Sequence, residues 1–73
     1  MTRYCWDFFG PSGEGTARHF HEHLDEFLGR ERVDGCVTGV LVEPGRATVF
    51  CDTPAAHREV VTRALRPKRA TEG

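Results

Sequence analysis

Residues 36–52 read CVTGVLVEPGRATVFCD, and this stretch settles the architecture. Two runs of apolar and β-branched residues flank Glu43-Pro44-Gly45-Arg46. Proline followed by glycine suits the two central positions of a type II turn, the second of which needs positive φ. The segment therefore reads as a β-hairpin with strands at 36–42 and 47–52. Placing Glu43 opposite Arg46 pairs Val42 with Ala47, Val40 with Val49 and Thr38 with Cys51. Val37, Leu41, Thr48 and Phe50 then share the reverse face.

Upstream the pattern changes twice. RYCWDFF at 3–9 is aromatic-rich and stops at Gly10-Pro11, which reads as a strand ending in a forced turn. Period-2 alternation sends Tyr4, Trp6 and Phe8 to the core side and Arg3, Cys5, Asp7 and Phe9 to the other. From Thr16, a suitable N-cap, Ala17, Phe20, Leu24, Phe27 and Leu28 follow helical spacing, and the helix is expected to fray over Gly29 to Glu31. Downstream, Asp52-Thr53-Pro54 offers a cap and a proline at a helix start. Ala56, His57, Val60, Val61 and Ala64 form the inner stripe of this second helix, which Arg66-Pro67 closes.

The element order β-α-β-β-α gives an α+β fold. A right-handed crossover places both helices on one face of a three-stranded sheet of order 1-3-2, a two-layer sandwich. The arrangement resembles a ferredoxin-like fold truncated by its last strand, over residues 3–66. No motif carries the resemblance, and it implies a superfold rather than an activity. Residues 1–67 are read as a single domain and 68–73 as a disordered basic tail.

At 73 residues the chain holds one domain near the lower limit for a self-sufficient core, so association with another chain would help it. Its 38% hydrophobic and 29% charged content is that of a globular protein. The net charge of −1 gives no general attraction to nucleic acid. Cys5, Cys36 and Cys51 are odd in number and lack C-x-x-C spacing, so neither a disulfide framework nor a zinc finger is expected. The beginning of the chain shows no signal-peptide apolar run, and no stretch suits a bilayer, so the expected location is cytoplasmic, without membrane attachment.

A three-stranded sheet would leave the first strand as an unblunted aromatic edge and one sheet face bare. The bare face is expected to show either Val37, Leu41 and Phe50, the expected interface residues, or the Val40 and Val49 set, and the expected partner is a second copy of the chain or another protein.

Three local patterns suggest chemistry. His19 and His23, at i,i+4 within an H-x-H-x-H run, have the spacing of metal ligands on adjacent turns, with Glu26 a turn further on. Boundary residues of an amphipathic helix give the same spacing. The G-x-x-x-x-G frame of Gly10 to Gly15 joins a strand to a helix as phosphate loops do, but Thr16 stands where the lysine belongs. His57, with Trp6 and that loop, is the candidate ligand-binding set, and a neutral His57 beside Cys51 or Cys5 would be a base and nucleophile pair. Aromatic rings on an open sheet face are also how RNA-binding modules stack bases, although the positive charge that such binding needs is confined to the end of the chain. None of these patterns specifies a reaction, a cofactor or a catalytic residue. The sequence therefore points to a small protein-interaction or homo-oligomerising module that uses an apolar sheet face or edge strand. The alternative is a small-molecule or metal-binding domain, or a minor enzyme, with a pocket formed between dimer halves near Trp6, His57 and the Gly10 to Gly15 loop.

Overall fold

The computed structural model describes residues 1–72. Strand β1 spans Thr2–Phe9, helix α1 Gly13–Arg30, strand β2 Val37–Glu43 and strand β3 Arg46–Thr53. A 3-10 turn at Ala55–His57 leads into helix α2, Arg58–Leu65, and strand β4 spans Arg69–Glu72. The sheet has four strands in the order β2-β3-β1-β4, each antiparallel to its neighbours.

The expectation of a truncated, three-stranded 1-3-2 sheet is overturned. The segment expected to be a disordered tail supplies the missing strand: Arg69 to Glu72 pair with Cys5 to Thr2, and the Lys68 N–H donates to the Cys5 carbonyl at 2.9 Å to open the ladder. This strand escapes sequence reasoning because Arg-Ala-Thr-Glu is short, polar and exposed along its length. Pairing with β1 creates it, and no intrinsic β preference announces it. In consequence β1 is an interior strand rather than an edge, and the edges are β2 and β4.

The hairpin register is the expected one, with Val42 opposite Ala47, Val40 opposite Val49 and Thr38 opposite Cys51. Gly45 carries the turn with φ of +77°. On the helix side, Tyr4, Trp6, Ala47, Val49 and Cys51 form one buried cluster with Ala17, Leu24 and Leu28 of α1 and Val61 of α2, so both helices lie on the same sheet face. Phe20 wedges between Trp6 and Phe8, at ring-centroid distances of 5.0 and 5.6 Å. The Trp6 indole N–H donates to the Leu65 carbonyl at 2.9 Å, fixing the end of α2 to the sheet.

The helix ends differ from the sequence reading. Helix α1 starts at Gly13 after Ser12, earlier than the Thr16 cap. It closes with Arg32 at φ of +55° and with Val33 N–H donating to the Leu28 carbonyl at 2.9 Å, the Schellman arrangement that tucks Val33 into the core. Asp52 and Thr53 stay in β3, and Pro54 is extended, so neither Asp52 nor Pro54 starts α2. Ala56 and Ala64, expected on the inner stripe, are exposed, and α2 buries Val61 with Val60 and Leu65 at its margins.

Candidate functional site

The sheet face opposite the helices was expected to be bare and apolar. It carries instead a lattice of cross-strand charge. Arg3 makes two hydrogen bonds to Asp52, its direct neighbour across β1 and β3, at 2.7 and 2.9 Å. Arg69 of β4 makes the same two-pronged contact with Asp7 at 2.9 and 2.8 Å, and Thr48 donates to Asp7 at 2.7 Å. The Arg3 guanidinium also stands 4.2 Å above the centre of the Phe50 ring. Beneath this layer Cys5 and Thr48 are 5% and 4% exposed, although no helix covers them. The Arg69 guanidinium, helped by the Thr48 hydroxyl, holds the Asp7 carboxyl below the usual carboxylate range. Arg3 does the same for Asp52.

The apolar surface of the sheet is therefore concentrated at the β2 margin. Val37, Leu41 and Val42 are 57%, 48% and 49% exposed. Val37 and Leu41 project from the open face and Val42 from the helix side, as their pairing with Asp52, Thr48 and Ala47 requires. Phe50, the third expected interface residue, is half-buried and lies across Gly39, where an added Cβ would come within 2.6 Å of the ring. Gly39 is thus required for space, and the ring takes up the gap that its missing side chain leaves.

Behind this edge, His21, Asp25 and Thr38 meet. Thr38 Oγ1 donates to Asp25 Oδ1 at 2.6 Å, and His21 Nε2 lies 2.9 Å from Thr38 Oγ1 and 3.3 Å from Asp25 Oδ2. A hydroxyl, an imidazole and a carboxylate are the components of a nucleophilic triad, but their arrangement is different. In a triad the base nitrogen takes the hydroxyl proton while the acid holds the opposite ring nitrogen. Here the hydroxyl proton goes straight to the carboxylate, and both oxygens gather at one ring nitrogen. The cluster is a strut that ties α1 to the β2 margin. The sequence reading missed this cluster: His21 and Asp25 have i,i+4 spacing that could have signalled a pair, but Thr38 joins them only through tertiary packing.

The proposed ligand set does not assemble within one chain. Thr2, at the start of β1, is paired with Thr53, the residue from which the chain runs on to His57, whereas Phe9 leads into Gly10. His57 and the glycine-rich segment thus stand at opposite ends of an eight-residue strand, roughly 25 Å apart at the usual rise. Trp6 is 4% exposed and its N–H is already committed to Leu65. Gly13, Glu14 and Gly15 belong to α1, so the phosphate-loop frame is half helix. A shallow cleft of about 410 Å³ does lie between Gly10-Pro11 and the hairpin turn. Its charged walls are Glu14, Glu43 and Arg46, and Arg46 is held by Glu43 at 2.8 Å, so the cleft is unsuited to an anion.

Cys51 is buried against Thr53, Sγ to Oγ1 at 3.3 Å, and burial pushes its thiol up to about 12, which keeps it protonated at neutral pH. On the outer face of α1, His19 Nε2 and His23 Nε2 approach to 2.9 Å. No group of three or more metal-ligating side chains forms among the described residues. Among those residues, too, no helix is long and apolar enough to cross a membrane. Comparison with protein-family models, curated proteins and solved structures matched nothing to this chain.

Proposed function

We propose that the chain is a self-associating interaction module in which β2 pairs antiparallel with β2 of a second copy, joining two four-stranded sheets into one. The observation that carries this reading is the character of β2. It is a seven-residue edge strand without proline or lysine, and three of its apolar side chains are about half exposed or more. Natural edge strands are usually blunted by shortness, charge, proline or cover. The opposite edge, β4, is blunted in this way, with four residues that include Arg69 and Glu72.

Self-pairing has a preferred register. A two-fold axis at Val40, the middle residue, uses the whole strand and keeps each face aligned with its counterpart. Val37 then faces Glu43 of the partner subunit and Thr38 faces Val42 of the partner subunit. Leu41 comes to rest beside Gly39 of the partner subunit, where the Phe50 ring offers apolar surface. No like charges are opposed, since the strand's one charged residue, Glu43, falls opposite a valine. Pairing in this register covers all three exposed apolar side chains of β2.

Light scattering on size-exclusion fractions tests the reading. The chain is expected to be a dimer at high micromolar concentration. Leu41→Lys, which places a charge beside the Gly39 gap, is expected to give a monomer. Val37→Lys is expected to keep the dimer, because the new ammonium faces Glu43 of the partner subunit. Both positions are exposed in the single chain, so circular dichroism should show both variants folded. A monomeric wild type, or a dimer indifferent to Leu41→Lys, removes the proposal.

A further inference from the structure

His19 and His23 project from the outer face of α1, and both are exposed. Their rings lie 4.5 Å apart, tilted by 59°, and their Nε2 atoms converge to 2.9 Å. Imidazole–imidazole contact needs a proton on one nitrogen and a lone pair on the other, and at an exposed site such a hydrogen bond adds little to stability because water competes for both groups. The convergence matters more as a chelating geometry. Two imidazole nitrogens that each sit about 2.0–2.1 Å from a metal at an angle of about 90° are about 2.9 Å apart. At the tetrahedral angle of zinc they would stand about 3.3–3.4 Å apart.

From this geometry we infer that His19 and His23 form a bidentate chelate for a divalent transition-metal ion of the nickel(II) or copper(II) type, with water in the remaining positions. Chelation needs both rings in the tautomer protonated on Nδ1, so the proton held between the two nitrogens passes by way of water to Nδ1 of its own ring, and each Nε2 then offers a neutral lone pair to the ion. Helical spacing alone positions the two ligands, so the site is present before the metal arrives. The neighbouring charges suit a cation: Glu22 and Glu26 are exposed on the same helix, and Arg18 is turned towards Glu14 at 2.9 Å. His21 is excluded from the chelate because its Nε2 is occupied by Thr38 and Asp25. The site is separate from the β2 edge and does not depend on self-association.

Titration of the full, tag-free chain with nickel chloride, followed by calorimetry, tests the inference. Nickel is the better probe because the half-exposed Cys36 thiol would reduce copper(II). One ion is expected per chain with a micromolar dissociation constant. His19→Ala and His23→Ala should each weaken binding at least tenfold, while His21→Ala and His57→Ala leave it unchanged. Nickel should also raise the thermal midpoint of the wild type but not of His19→Ala, since an ion that binds only the folded helix stabilises it. Absent binding, binding unaffected by His19→Ala, or equal loss on His21→Ala would overturn the assignment.

Discussion

Arg32 and Asp7 show how single side chains serve this fold at some cost. The Schellman closure of α1 requires a left-handed residue after the helix, and the chain puts arginine there at φ of +55°. A side chain with a Cβ is disfavoured in that region, where glycine is at ease. Arg32→Gly is therefore expected to stabilise the protein by about 0.5–1 kcal/mol in urea denaturation, provided the Val33 to Leu28 hydrogen bond is kept. Asp7 contributes in a pH-dependent way. Its carboxyl is held below the ordinary value by Arg69 and Thr48, and that of Asp52 by Arg3. A carboxyl with a lowered native pKa adds stability that is complete above its unfolded value of about 3.9 and fades as pH falls through the native value. Unfolding free energy should thus fall as the solution is acidified below about pH 4. Asp7→Asn should be less stable than wild type at neutral pH and should show a shallower acid limb. An unchanged acid limb in that variant would show that the Asp7 to Arg69 contact contributes nothing to stability.

The strands and helices were legible to the extent that local pattern determines them. Pro44-Gly45 between Glu43 and Arg46 fixed the hairpin register because turn type and flanking charge act within a few residues. Alternation assigned Tyr4, Trp6 and Phe8 to the core side, where the structure places them. The elements that were misread depend on distant partners. Asp52 has the chemistry of a helix cap, yet Arg3, 49 positions away, claims its carboxylate for the sheet. Strand β4 exists because β1 offers a ladder and Asp7 offers a charge 62 positions from Arg69. The candidate site follows the same rule: the His19 and His23 spacing was readable along the helix, whereas the Thr38 contact to His21 and Asp25 was not. If β4 is the cover of β1, ending the chain at Pro67 should expose the aromatic β1 strand as an edge. Loss of four ladder partners and of the Arg69 pair is expected to lower stability by about 1–3 kcal/mol in chemical denaturation. Amide exchange along β1 should also accelerate. Wild-type stability and exchange in the shortened chain would mean that β4 is dispensable.

Taken whole, the chain is a sheet with helices on one side and ion pairs on the other, and the two strands at its margins are unlike. Charge neutralised across β3, β1 and β4 makes most of the open face a poor apolar platform, so the expectation of a broad hydrophobic face narrows to the β2 margin. On the proposed mode of pairing, one long, mostly apolar edge with a single charge at its end and one short edge of higher charge limit growth: pairing through β2 would close after two copies, because β4 offers no comparable template for further addition. A chain of this size also has much to gain from sharing a sheet, since its own core is small. The most direct measurement is isotope-filtered nuclear Overhauser spectroscopy on a mixture of labelled and unlabelled chains. It should give cross-peaks between Thr38 of one chain and Val42 of the other, and between Val40 and its own counterpart. Their absence in a concentrated sample, or intermolecular contacts that map to β4 or to α1 instead, would contradict the account.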